Sequence, residues 1–283
     1  MNLANINTIK NIMNTQGFAF KKALGQNFLI NPGVCPKMAA AAADSETGVL
    51  EIGPGIGVLT AELSSVAKRV VSIELDNSLK PVLEQTLAGK DNIEIIFGDA
   101  MKLDLLQIIN THFCDCKKVA VCANLPYYIT SPVITMLLES RLPIDNITVM
   151  VQKEAAERIC AKVGSRESGA VTVAVNYYAQ SEILFGVSKN SFMPPPKVDS
   201  AVIKLTVRQT PPVALDNEKF FFKFVKACFA QRRKTLVNTV SNTLHIEKQA
   251  ITNALTKLNL PLTARSEQLT MQNLADVANL LNK

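Results

Sequence analysis

Val49-Leu50-Glu51-Ile52-Gly53-Pro54-Gly55-Ile56-Gly57-Val58-Leu59-Thr60 is the segment on which the fold turns. An apolar, β-favouring run enters a glycine-rich turn and leaves it in a helical pattern that continues over 58–67. Glycines at such a turn remove the side chains that would keep backbone away from a ligand. The spacing is E-x-G-x-G-x-G, not the G-x-G-x-x-G of dinucleotide enzymes. Around this segment, strands are predicted over 49–53, 70–75, 93–97, 118–123 and 146–151, and helices over 58–67, 78–87, 132–139 and 153–161. That alternation builds βαβ units and a parallel sheet. The valines of 171–179 favour a strand while their position suits a crossover helix, and both readings stay open. Residues 182–187 and 198–207 are predicted to close the sheet as an antiparallel hairpin across Pro194-Pro195-Pro196.

After Pro211-Pro212 the pattern changes to helices alone, predicted over 217–242, 247–258 and 271–281. The chain therefore divides into a basic leader (1–43), an α/β domain (44–210) and a small all-α domain (211–283). Its 283 residues are 48% hydrophobic, enough to bury a core. No stretch approaches the ~20 uncharged apolar residues of a membrane helix. The net charge of +6 is unevenly spread: +4 over 1–43, −6 over 44–188 and +8 over 189–283. An acidic catalytic body flanked by basic segments suits a polyanionic partner, with nucleic acid the foremost class. The six cysteines form no C-x-x-C pair and there are two histidines, so no metal site is expected. Scattered cysteines without a secretory signal suit the reducing cytoplasm.

Two acids extend the turn into a candidate cofactor site. Glu74 ends the second strand, 21 residues beyond Gly53, where a carboxylate can accept both hydroxyls of a ribose. Asp99 ends the third, where it can accept from an adenine amino group. Glycine turn and acids, in order at successive strand ends, match the adenosine-binding edge of S-adenosylmethionine (SAM) methyltransferases. Glu51 is expected to organise the glycine loop, or to stand near the positive methionine end of the cofactor, and not to transfer a proton.

Asn124-Leu125-Pro126-Tyr127 follows the fourth strand directly. The exocyclic amine of adenine is a poor nucleophile, because its lone pair is delocalised into the ring. Two acceptors, the Asn124 side-chain oxygen and the Leu125 carbonyl, can hold that nitrogen nearer tetrahedral and aim its lone pair at a methyl sulfonium. Pro126 stiffens the turn and Tyr127 offers a ring on which the base stacks. The methylated amine can lose its proton to water, so no basic side chain is required.

Lys22-Ala23-Leu24-Gly25-Gln26-Asn27-Phe28-Leu29, the glycine turn, Asn124–Tyr127 and Phe192-Met193-Pro194-Pro195-Pro196-Lys197-Val198-Asp199-Ser200-Ala201-Val202 occur in that order. Together they resemble the ribosomal RNA adenine N6-dimethyltransferases, in particular the bacterial small-subunit (16S) branch, the kasugamycin-sensitivity enzymes. The resemblance implies a Rossmann-like SAM-dependent methyltransferase fold with a seven-stranded, mostly parallel sheet. It also implies that Asn27 and Leu29 contact SAM, with Gly53, Glu74, Asp99 and Asn124 completing the site. The implied reaction places two methyls on each of two adjacent adenines in a hairpin loop near the 3′ end of small-subunit RNA, within an assembling (pre-30S) particle. Phe192 would face Tyr127 across the base, or else is a core aromatic. Arg232, Arg233 and Lys234, expected on the first helix of the C-terminal domain, are candidate phosphate contacts, with Lys197, Lys21 and Lys22 as further candidates. A monomer is expected. The alternatives are a large-subunit adenine methyltransferase of the macrolide-resistance type and a non-catalytic nucleic-acid-binding relative.

Overall fold

A computed structural model describes Leu3, Thr8 and residues 27–282. Its strands are β1 (Phe28–Leu29), β2 (Thr47–Ile52), β3 (Arg69–Glu74), β4 (Ile93–Phe97), β5 (Lys118–Asn124), β6 (Asn146–Gln152), β7 (Ala179–Val187), β8 (Phe192–Met193) and β9 (Ser200–Val207). Seven of them form one sheet in the order β4-β3-β2-β5-β6-β9-β7, and β1 pairs with β8 in a separate two-stranded ladder. From β4 to β6 every pairing is parallel, whereas β9 runs antiparallel to β6. The mostly parallel sheet expected from the strand–helix alternation is present, with the seven strands that the resemblance implies.

All six residues of β2 are buried, as a central parallel strand covered on both faces requires. One face carries Val49, Val70, Ala120 and Val202 into a core with Met38 and Ala39 of helix α1 (Val34–Ala42) and Leu59 and Leu63 of α2 (Val58–Val66). Further along come α3 (Lys80–Thr86), α4 (Leu105–His112), α5 (Thr130–Glu139), α6 (Lys153–Ile159) and α7 (Ala170–Tyr178), then α8 (Glu218–Cys228), α9 (Leu236–Leu244), α10 (Lys248–Lys257) and α11 (Met271–Leu281). Among the described residues no helix is long and apolar enough to cross a membrane.

The chain forms two compact units. One takes it up to Ala156 together with Glu182–Val207; the other joins Glu157–Ser181 to Arg208–Lys283. The valine-rich segment left open by its sequence is helix α7, and it belongs to the second unit. The Gly169 amide donates to Thr172 Oγ1 at 2.9 Å to start this helix. Tyr177 and Tyr178 at its end both donate to the Glu218 carboxylate, at 3.1 and 2.7 Å, beside the rings of Phe221 and Phe222.

Two expectations change. The helix predicted over 217–242 is two helices, α8 and α9, separated at 229–235. Thr235 causes the second start: its side chain accepts from the Asn238 amide at the first turn of α9. Gln231-Arg232-Arg233-Lys234 therefore lies in the turn between helices, not on a helix. β7 and β9 are neighbours at the edge of the sheet as expected, but the connection between them carries the unpredicted β8, which pairs with β1.

Gly57 is fixed by its backbone, with φ +87° and the Leu87 side chain 3.0 Å from where a Cβ would stand. A Gly57→Ala substitution should lower the unfolding free energy by about 1–3 kcal/mol, read as a shift in the urea midpoint at unchanged m-value.

Candidate active site

Parallel register brings the candidate residues together. Ile52 pairs with both Ile73 and Ala123, so Gly53, Glu74 and Asn124, the residues that follow each of these, emerge side by side at the carboxyl edge of the sheet. Glu74 pairs with Phe97, and the Gly98 amide donates to the Glu74 carbonyl at 2.8 Å, which sets Asp99 next along the edge. The chain goes outward from β2 to β4 and returns on the other side as β5, the crevice-forming reversal of doubly wound sheets. One cleft at this reversal is lined by Asn27, Leu29, Gly53, Glu74, Asp99, Asn124, Leu125, Pro126, Tyr127 and Phe192. Every catalytic and cofactor candidate thus shares a single cavity.

The glycine turn forms its floor. Gly53, Gly55 and Gly57 have φ of +74°, +57° and +87°, a region in which residues with a Cβ are strained. A Cβ at Gly53 would meet no atom within 4 Å; that position faces open cleft. The turn is held by Glu74, whose carboxylate accepts from the Gly55 amide at 3.1 Å and the Asp76 amide at 2.8 Å. Burial pushes the Glu74 carboxyl up from its ordinary range, and these two amides oppose that. The loop-organising part expected of Glu51 therefore falls to Glu74. Glu51 is on β2 itself, with its side chain tied to Thr60 of α2 and Ser72 of β3.

The leader enters through the short ladder: Leu29 pairs with Phe192, Phe28 with Met193, and the Ile30 amide donates to the Ser191 carbonyl at 2.8 Å. Asn27 and Leu29 thereby reach the cleft wall beside Phe192. Phe192 is 3% exposed, packed in the core with Leu29, Cys35 and Met38, and still lines the cleft. The core placement is thus the observed one, with the ring at the cleft wall.

On the opposite wall Leu125 is buried and Asn124 half-buried at the end of β5. The Ile129 amide donates to the Pro126 carbonyl at 3.1 Å and closes the turn, while Tyr127 is hydrogen-bonded through its hydroxyl to Ser200 Oγ at 2.8 Å. Asp99 accepts from the Met101 amide at 3.0 Å and has Lys102 Nζ at 3.5 Å. Leu75 and Met101, 53% and 42% exposed, also line the cavity. Sequence reasoning assigned neither a role, although each lies one or two residues past a strand-end acid. It also missed Ser200, whose only signal is its place in the Lys197–Ser200 motif.

No lysine, arginine or histidine lines the cleft among the described residues. Acids at two strand ends and a largely apolar wall suit a ligand with cationic, hydroxyl and flat apolar parts, not a phosphate. The Cys35 thiol beside it is pushed up by burial, and so stays a neutral thiol. The phosphate-contact candidates lie elsewhere. Lys197, Arg233 and Lys234 are exposed, whereas Arg232 donates to the Arg166 carbonyl at 2.6 Å and stands 3.9 Å from Glu267. Lys21 and Lys22 fall outside the described residues.

The sheet order, the glycine turn and the strand-end acids define a Rossmann-like methyltransferase domain. The family model of ribosomal RNA adenine dimethylases matches residues 17–283. "Ribosomal RNA small subunit methyltransferase A" of Bacillus pumilus (strain SAFR-032) is 46% identical over 278 residues, covering 97% of this chain and 95% of the relative. The protein of the same name from Geobacillus thermodenitrificans (strain NG80-2) is 47% identical over 276 residues, covering 96% and 94%. Among solved structures, a dimethyladenosine transferase from Plasmodium falciparum superposes with a TM-score of 0.69 at 29% identity, covering 88% of this chain and 95% of the other. The 23S rRNA methyltransferase ErmE superposes with a TM-score of 0.67 at 25% identity, covering 91% and 100%. The chain belongs to the ribosomal RNA adenine dimethylase family.

Beneath the floor, Glu51 is fully buried. Its Oε2 accepts from Thr60 Oγ1 at 2.7 Å and Ser72 Oγ at 2.6 Å, and its Oε1 has no hydrogen-bond partner among the described residues. Burial raises its carboxyl from 4.5 to about 7, partly opposed by the two hydroxyls and assisted by the charge of Glu74. The folded protein thus keeps a proton that the unfolded chain releases, so this group costs stability as pH rises from 4.5 to about 7 and no more beyond. Glu51→Gln cannot ionise. Its urea stability relative to the parent should rise between pH 4.5 and 8 by up to about 3 kcal/mol. A gap that stays constant across that range would show Glu51 charged throughout.

Proposed function

We propose that this chain is a SAM-dependent rRNA (adenine-N6,N6)-dimethyltransferase that acts on two adjacent adenines in the 3′-terminal hairpin loop of small-subunit RNA. The observation that carries the reading is the shared cleft: Asn124–Tyr127 stands beside the glycine turn and the two strand-end acids. Relatives at 46–47% identity over nearly the whole chain carry the small-subunit name, which favours that substrate over the large-subunit RNA named for ErmE. The intact Asn124-Leu125-Pro126-Tyr127 favours an enzyme over a non-catalytic relative.

The residues present fit SAM. Open space stands where a Gly53 Cβ would be, Glu74 is placed for ribose hydroxyls and Asp99 for the adenine amine, with Leu75 and Met101 on the faces of the ring. Asn27 and Leu29 close that wall from the leader. When bound, SAM supplies an electrophilic methyl on a sulfonium. The side chain of Asn124 and the carbonyl of Leu125 accept the two N–H bonds of the target amine and orient its lone pair; Tyr127 and Phe192 bracket the base. The methyl would pass from that sulfonium to the amine held by Asn124 and Leu125, whose proton would leave to water, so no basic side chain of the chain is needed. Loop adenines are already partly unstacked, so drawing one into the cleft costs less than flipping it from a duplex.

With no cation on its wall among the described residues, the cleft suits a base and not its phosphates. Those contacts are assigned to Arg233 and Lys234 in the exposed turn before α9, with Arg232, Lys197 and Lys22 in support. The enzyme is taken to act as a monomer, in the cytoplasm, on the assembling small subunit.

With labelled SAM and unmethylated small subunits, label should map to two adjacent adenines near the RNA 3′ end. Label confined to large-subunit RNA would overturn the assignment. Asn124→Ala should bind SAM more weakly and lose most transfer; full activity would sink the mechanism. Replacing Arg233 and Lys234 by alanine should weaken RNA binding and lower the log–log salt slope by about one unit for each phosphate left without its cation. An unchanged slope would place the RNA elsewhere.

A further inference from the structure

Tyr127 raises a question that its stacking role does not answer. A ring alone makes the platform, and phenylalanine would stack as well, so the hydroxyl contributes only through a partner. That partner is Ser200 Oγ, 2.8 Å away and 73 residues distant in sequence.

Ser200 is a fixed point. It is 1% exposed and begins β9, where it pairs with Gln152 at the end of β6. Because β9 runs antiparallel to β6, its first residue lies at the same sheet edge as the ends of the parallel strands. Asp199, immediately before it, is held from two sides. Its carbonyl accepts from the Lys153 amide at 3.0 Å and its carboxylate from the Lys189 amide at 2.9 Å. Tyr127 has its backbone set by the Pro126 turn, while its half-buried ring lines the cleft. Without a tether at the phenol end that ring is free to swing about its side-chain torsions.

We propose that Ser200 is a positioning residue, whose hydroxyl anchors the Tyr127 phenol and so holds the ring where the target base must stack. This rests on the adenine-methyltransferase reading and assigns a purpose to the Val198-Asp199-Ser200 stretch, which no other part of the mechanism uses. The cost of ordering the platform is met during folding, before the base arrives.

The test uses the full chain with Ser200→Ala, Tyr127→Phe and the double variant. Each single variant should lower kcat on unmethylated small subunits by roughly three- to tenfold, the range set by one net hydrogen bond. SAM affinity should stay within about twofold, and the double variant should be no slower than the slower single one, because both delete the same bond. Tyr127→Phe keeps β9 untouched, so it decides the matter even if Ser200→Ala is unstable. Wild-type kcat in Tyr127→Phe, or losses that multiply in the double variant, overturn the proposal.

A second readout needs no RNA. With tyrosine labelled at Cζ, the Tyr127 signal (identified by its loss in Tyr127→Phe) should titrate at higher pH in Ser200→Ala, since the phenolate loses its donor while the nearby Asp199 charge remains. An unmoved midpoint also overturns the anchor. A parent enzyme that methylates no small-subunit RNA would refute the substrate reading alone, and this titration would still decide the Ser200 contact.

Discussion

The parallel pairing of β2 with β3 on one side and β5 on the other is the constraint from which the site follows. Ile52 stands level with Ile73 and Ala123, and each strand then releases its functional residue at the same height. Nothing in Gly53, Glu74 or Asn124 need attract the others; the ladder delivers them. A slip of one residue in β2 would turn Glu51 to the opposite face and carry Gly53 out of line with Asn124. The apolar run of β2, buried along its whole length, makes that slip expensive. Fold and site are thus specified by the same six residues.

Polarity is then divided between the faces of that strand and its end. Glu51 lies within the sheet, satisfied on one oxygen by Thr60 and Ser72, and its burial is a cost that the fold tolerates. Glu74, one strand over and at the edge, commits its carboxylate to the Gly55 amide and so shapes the turn. An acidic edge with no lining cation among the described residues favours a cationic ligand over a phosphate. On the proposed function, the nucleic acid would be held by other segments while a single base enters. The basic charge sits accordingly in residues 1–43 and 189–283, and not in the body between them.

Much of this was legible because the central strands are short, continuously apolar and punctuated by glycine. Ile93–Phe97 and Met271–Leu281 emerge with the bounds that their patterns predict. The reading fails where tertiary context outweighs local signal. The leader's strand pairing rests on two residues, Phe28 and Leu29, too few to show alternation. Helix α1 hides in an alanine-rich run with little amphipathic contrast. The break before α9 has no glycine or proline to mark it. Apolar residues at helical spacing flank the polar stretch Gln231–Thr235, and the Thr235 cap, a local signal within that stretch, divides them. Ser200 illustrates a further limit: a motif can be recognised in full while the contact that explains one of its members, here 73 residues away, is visible only in three dimensions.

The cleft walls come from segments that are far apart in the chain, yet each is anchored in a ladder before it reaches the cavity. Asn124 is the last residue of β5, Phe192 is paired with Leu29, and Ser200 opens β9. A methyl transfer to a weakly nucleophilic amine gains little from flexible contacts, because each residual degree of freedom must be frozen at the moment of reaction. Rigid strand ends supply that order in advance. On the proposed mechanism the same logic gives Pro126 its place after Asn124 and Leu125, and gives the Tyr127 hydroxyl a use: its far end has a strand to hold.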